Sequence, residues 1–212
     1  MSLQGKAIKQ RTLLESTFHN QILYDGIISC LSPVTRLALA RTCTSSYTAV
    51  EEFNKRAFNI NRHLGQYFNK PTVFRTLQAR TGTLISGSSA LQFLDRTHYP
   101  DSDLDLYVNP GHGREVGQWL MEQEGYTFRG SRDLEDSDFE KAIKQDDDTV
   151  REDTHAYQGS YGTKSIQSVF TFQKSSSNNK KLIVQLVLTV LSAFHTIANV
   201  HSSELHRPIF IN

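Results

Sequence analysis

Residues Thr83 to Pro110 read TLISGSSALQFLDRTHYPDSDLDLYVNP, and the fold turns on how that run is parsed. An apolar segment ends at the small-residue turn Gly87-Ser88-Ser89. "SALQFLDRT" then has helical spacing, with Leu91 and Leu94 expected inward. "DSDLDLYV" alternates strictly. That predicts a strand with Leu104, Leu106 and Val108 on one face and Asp101, Asp103, Asp105 and Tyr107 on the other. Side chains at i and i+2 of a strand point the same way, so Asp103 and Asp105 should stand about 7 Å apart. Two carboxylates so placed repel each other unless a cation lies between them. Mg²⁺ or Mn²⁺ suits the pair, because Mg²⁺ takes a few carboxylate oxygens and fills its remaining positions with water and phosphate. Gly87 would let the backbone approach a phosphate closely, and the N–H groups of Gly87, Ser88 and Ser89 would cradle it. A helix starting at Ser89 would add its positive end. A plainer reading stays open: alternating Asp on an exposed strand is ordinary solubility chemistry, and Gly-Ser is a common turn.

Outward from this run the chain alternates helices and strands. Pro71 should open a helix from Thr72 to Arg80 that Gly82 closes. "GREVGQWLMEQEG" is amphipathic, with Val116, Trp119 and Leu120 inward, and "YTFRG" fits a short strand. A helix is expected around Phe139 to Lys144 inside the acidic run 133–153. "SIQSVFTFQ" and "KLIVQLVLT" read as two strands joined by the hairpin chemistry of "KSSSNNKK". "VLSAFHTIANV" reads as a helix and "HRPIFIN" as extended chain. The expected class is α+β: a small mixed sheet flanked by helices over 64–212, with a helical segment over 19–58 and a flexible arm over 1–18.

The stretch "LISGSSALQFLDRTHYPDSDLDLYV" resembles the signature of the nucleotidyltransferase superfamily, whose members share the fold of DNA polymerase β. Gly87-Ser88 and Asp103-x-Asp105 carry the resemblance. It implies a nucleotidyltransferase-type sheet and metal binding by Asp103 and Asp105, which would be the catalytic pair. It also implies nucleotide binding at Gly87, Ser88 and Ser89, and transfer of a nucleoside monophosphate from an NTP to a hydroxyl. The family usually carries a third carboxylate on a later strand. On "LIVQLVL" that place falls to Gln185, whose amide can neither serve as a base nor add negative charge. Asp101 and the acids Asp146, Asp147, Asp148 and Asp153 are other sources of a third ligand, against the plainer reading of the acidic run as a solvated loop. The departure implies slow transfer, or nucleotide binding without turnover.

Three short helices are expected between Ile22 and Phe53. Pro33 follows Ser32 at the head of the second, and Ser45 or Ser46 caps the third. "ILYDGIISCLSPVTRLALARTCTSSYTAVEEF" resembles an F-box. The positions that carry it are Ile27, Ile28, Leu31, Pro33, Leu37, Leu39 and Cys43, while Leu23-Tyr24 stands where F-boxes open on Leu-Pro. The resemblance implies a Skp1-like adaptor as partner, bound through Ile27, Leu31, Pro33 and Leu37, and hence a non-catalytic adaptor role. From the residues alone, an intramolecular helical cap is an equal alternative. The combination of the two segments resembles uncharacterised proteins of mushroom-forming fungi, which suggests a family and does not point to a function.

The 212 residues carry 23 Lys+Arg and 22 Asp+Glu, a net charge of +1. Bulk charge therefore gives nucleic acid no support as a partner and leaves it open. The first residues hold no apolar core of signal-peptide length, and Leu182 to Phe194 is too short and too polar to span a bilayer, so no membrane association is expected. The two cysteines, Cys30 and Cys43, fall in helix-like apolar patterns and suggest a cytoplasmic or nuclear setting without disulfides. His195, His201 and His206 are spaced against a shared helix face, so zinc is not favoured. "SGSSA" is not a complete nucleophile elbow. Arg96 and His98 could meet triphosphate charge or simply lie on the surface.

Overall fold

The computed structural model describes residues 16–17, 20–97, 99, 102–131, 138–145, 165–176 and 180–199. Most of the expected arm, together with His98, Asp101, Asp146, Asp147, Asp148, Asp153, His201, His206 and the expected extended tail, lies outside the described residues. The chain divides into two compact units between Asn59 and Ile60.

The first unit holds α1 (Gln21–Ser29), α2 (Pro33–Ala40) and α3 (Thr44–Ala57). Asn20 caps α1 by accepting from the backbone N–H groups of Ile22 and Leu23. Ser32 caps α2 through the Thr35 N–H at 3.2 Å, with Pro33 at the first helical position as expected. The third helix starts earlier than the serines suggested, with Cys43 at its N-cap. Ser46 is fully buried; its Oγ accepts from the Cys43 N–H at 3.3 Å and donates to the Leu39 carbonyl at 3.0 Å. The residue expected to cap the helix instead lies in its first turn and ties it to the end of α2. Tyr24, Ile28, Ala49, Val50 and Phe53 form the core of the unit. Arg36, only 7% exposed, lays its guanidinium over the rings of Phe53 and Phe58 at 5.8 and 5.3 Å. Cys30 and Cys43 are free and exposed; they sit at helix ends, not on the apolar faces where the pattern placed them.

The second unit is an α+β domain. It runs α4 (Ile60–Leu64), α5 (Pro71–Thr81), β1 (Leu84–Ser86), α6 (Gly87–Asp95), β2 (Leu104–Val108), α7 (Gly113–Glu122), β3 (Thr127–Ser131), α8 (139–145), β4 (Ile166–Ser175), β5 (Lys181–Thr189) and α9 (Ala193–Asn199). The strands form one mixed five-stranded sheet in the order β1-β2-β5-β4-β3. β2 lies antiparallel to β1 and parallel to β5, while β4 is antiparallel to both β5 and β3. The helix α4 was not expected from sequence.

Strand alternation sorts the side chains. Ile85, Leu104, Leu106, Val108, Val184, Leu186, Phe170, Phe172 and Phe128 supply one face of the sheet to the main core. Phe74 and Leu77 of α5, Val116, Trp119 and Leu120 of α7, and Phe139, Ala142 and Ile143 of α8 close over it. Burial of that many large apolar side chains is the principal stabilisation of the unit, at about 1.5–3 kcal/mol for each fully buried one. On the opposite face Tyr107 and Val187 pack with Ala193 and Ile197 of α9. α9 thus covers one end of that face, and Asp103, Asp105 and Gln185 lie at the other, where β1 ends and β2 begins.

Helix ends are satisfied by local and distant groups. Gly82 closes α5 in the left-handed conformation at φ 64°, as expected. The other end of α5 has no local side-chain cap. Glu124, from beyond α7, accepts from the Asn69 and Lys70 N–H groups at 2.7 and 2.9 Å, with Lys174 Nζ 3.5 Å away. Among the described residues, no helix is long and apolar enough to cross a membrane.

Candidate functional site

The expected site residues come from three adjacent elements. Ser86 pairs with Asp105 across β1 and β2, and Asp105 pairs with Gln185 across β2 and β5. Paired residues in a sheet present their side chains on one face, so a single row runs Ser86, Asp105, Gln185, Thr171 across four strands. Asp103 stands beside this row, just before β2. Gln185 Nε2 donates to Asp103 Oδ2 at 3.1 Å, a contact made across 82 residues of chain. Asp103, Asp105 and Gln185 are each half-buried.

Gly87 is special on two counts. Its φ is +71°, a conformation costly to any residue with a Cβ. A Cβ placed on it would also meet Asp105 Oδ2 at 1.9 Å. The close approach that the missing side chain permits is therefore, in the first instance, that of the Asp105 carboxylate. α6 begins at Gly87, two residues earlier than expected, with Ser86 as an N-cap that makes no side-chain capping bond. Ser86 Oγ is fully buried and has no hydrogen-bond partner among the described residues. An orphaned hydroxyl beside a carboxylate, at the head of a helix, is an unspent polar group of the sort binding sites keep. Burial, and secondarily the Asp105 charge, push the Tyr107 phenol above its ordinary range.

The three small residues of the turn divide their labour. Ser88 is half-buried. Ser89 is fully buried, and its hydroxyl is held by His63 Nε2 at 2.9 Å, so only its main chain is left for a ligand. His63 comes from α4 and packs its ring on Phe93 and Tyr67 at centroid separations of 5.2 and 6.2 Å. The loop into β2 is pinned just ahead of Asp103. Gln92 Oε1 accepts from the Tyr99 N–H at 2.9 Å, Gln92 Nε2 donates to Ser102 Oγ, and the Tyr67 hydroxyl donates to the Ser102 carbonyl at 3.1 Å. The helix therefore buries Ser89, Ala90 and Gln92 most deeply, while the expected inward pair Leu91 and Leu94 is only half-buried. His63, Tyr67, Ser86 and Gln92 were missed in the sequence, where the helical spacing pointed inward at Leu91 and Leu94 instead of Gln92.

Chemically, the pair Asp103 and Asp105 offers hard oxygen ligands, and among the described residues no group of three or more His, Cys, Asp or Glu gathers to hold a metal. The donor set fits a cation that brings most of its own ligands and not one that needs a full protein cage. Arg96 is exposed at the C-cap of α6, with φ 55°. His195 is exposed on α9.

In the first unit Ile27, Pro33 and Leu37 are exposed and Leu31 is half-buried, whereas Ile28 belongs to the core and Leu39 packs against it. Compared with known protein families, with curated proteins and with solved structures, the chain matches none.

Proposed function

We propose that the second unit is a nucleotidyltransferase-like domain that binds a nucleoside triphosphate together with Mg²⁺ or Mn²⁺. Asp103 and Asp105 would hold the cation, and the main chain of Gly87, Ser88 and Ser89 would meet the phosphates. The observation that carries this reading is the contact between turn and carboxylate: Gly87 is shaped to lie against Asp105, with Ser86 Oγ unspent beside them. A solubility face would need neither the glycine nor the buried hydroxyl. The nucleotidyltransferase resemblance implies the same order of parts: turn, helix, paired carboxylates on the next strand. The cation would supply positive charge against the triphosphate.

The associated reaction would pass a nucleoside monophosphate to a hydroxyl acceptor. The acceptor oxygen bonds the α-phosphorus, the bond from that phosphorus to the α–β bridging oxygen breaks, pyrophosphate leaves, and the acceptor proton passes to solvent water. Gln185 can take no proton in that step. We therefore assign the domain to nucleotide binding with slow transfer or none, in a cytoplasmic or nuclear setting consistent with two free cysteines. Calorimetric titration of Mg²⁺ with each of the four NTPs tests the reading. Binding to the native chain that is lost in Asp105→Asn supports it; no binding of any of the four sinks it.

A second reading concerns the first unit. Ile22, Leu23, Ile27, Val34 and Leu37 are 84, 51, 47, 78 and 62% exposed and stand outside their own unit's core. So many exposed apolar side chains on two consecutive helices favour a protein partner. The F-box resemblance makes that partner a Skp1-like adaptor.

A further inference from the structure

We infer that Gln185 restricts this site to a single divalent cation, which arrives with the triphosphate. The inference rests on the reading of the site as a nucleotide–cation site. Its own ground is the sheet neighbours of Asp105 and the hydrogen bond that Asp103 accepts. The neighbours of Asp105 in its row are Ser86 on one side and Gln185 on the other, and the next residue along is Thr171. All three are uncharged. On the same face of β5, Gln185 is flanked by Ile183 and Val187, both apolar. Among the described residues no third acid joins the pair.

The hydrogen bond decides what remains. Gln185 Nε2 donates to Asp103 Oδ2 at 3.1 Å, so an N–H donor is aimed at a carboxylate oxygen that a second cation would need. An amide N–H repels a cation, and turning the amide over would offer only a neutral oxygen while forfeiting the hydrogen bond. Two carboxylates carry two negative charges, which one divalent ion balances. A second ion would have to sit at the pair with no further acid of the described residues beside it to offset its charge. Gln185 thus also does work without any cation: it holds Asp103 in place through a neutral donor. It is a positioning residue, and it sets how many cations the site accepts.

Counting bound Mn²⁺ tests this without any reliance on turnover. The native chain and its variants are equilibrium-dialysed against Mn²⁺ and each of the four α,β-methylene NTP analogues. Mn²⁺ retained per bound nucleotide is then measured. One Mn²⁺ is expected for the native chain and for Gln185→Leu, and two for Gln185→Glu, which places a third carboxylate beside Asp103. Two Mn²⁺ in the native chain would overturn the inference and leave nucleotide binding standing. A count still at one in a Gln185→Glu chain whose circular dichroism is native would do the same. No nucleotide retained by the native chain would overturn both. Gln185→Asp serves if the glutamate variant does not fold, and the native count needs no variant.

Discussion

At the scale of single residues, the strand that carries Asp105 was legible and its surroundings were not. Strand alternation is a local property, readable over a few positions, but the strand begins at Leu104 and leaves Asp103 just ahead of it, short of the start that the alternation from Asp101 suggested. The Gln185–Asp103 bond spans 82 residues, and no local pattern announces it. His63 is harder still. It lies on a five-residue helix, too short to display a period, and its importance comes only from reaching Ser89. That contact carries a pH dependence. Burial depresses the His63 pKa, so the ring stays neutral in the folded chain at pH values where the unfolded chain is protonated. The unfolded state then binds more protons. Stability is complete above the unfolded value of about 6.5 and falls as pH drops through it toward the lower folded value. In urea titrations the native midpoint should decline below about pH 6.5. His63→Gln, which keeps a hydrogen-bonding group near Ser89, should show a shallower decline. Equal slopes for the two chains would remove His63 as the cause.

At the scale of elements, helix and strand identities followed from periodicity, and their joints did not. The hairpin of β4 and β5 was readable from its loop, because Ser, Asn and Lys between two β-branched runs have few other uses. β3 could be read as a strand but not assigned a partner. The start of α3 was misjudged because Ser46, a good N-cap by composition, is taken inward to bond the Leu39 carbonyl. Distant capping of α5 by Glu124 was equally invisible, since helix-end rules look only at neighbours in sequence. The joint between α7 and α8 offers a sharp test, because propensity and packing there predict opposite signs. Gly117 lies inside α7, where Ala would be favoured by about 1 kcal/mol on helix propensity alone. A Cβ at Gly117 would come within 2.1 Å of Phe139 Cζ in α8, and that ring is itself wedged among Phe128, Phe170 and Phe172. Packing should win. Gly117→Ala is expected to destabilise by about 1–3 kcal/mol, the usual cost of overpacking. Phe139→Leu in the same chain should return part of that loss, giving a favourable coupling in a double-mutant cycle. A stabilised Gly117→Ala would show that the ring moves aside freely.

At the scale of the whole molecule, the chain divides between Asn59 and Ile60, and one run of helices precedes all the strands. The sheet order was not legible in the sequence. β2 and β5 are parallel neighbours separated by α7, β3, α8 and β4, and a crossover of that length leaves no trace in hydropathy. The purpose of the first unit turns on a distinction that sequence could not draw either, between apolar residues that build its core and those that do not. Ile28 is fully buried while its neighbour Ile27 is 47% exposed, and both looked alike as members of one helical face. Leu31, though central to the F-box pattern, is half-buried, so a charge placed there would confound folding with docking. Leu37 is the cleaner probe, at 62% exposure and outside the core of the unit. Leu37→Asp should leave the unfolding free energy from urea titration within about 0.5 kcal/mol of native, as surface substitutions do. If α1 and α2 dock a Skp1-type adaptor, the same change should abolish capture of the purified adaptor by the immobilised chain, because a carboxylate buried in an apolar interface has no partner there. Capture that survives Leu37→Asp would take the docking face away from Leu37, and a native chain that captures no adaptor would remove the adaptor role.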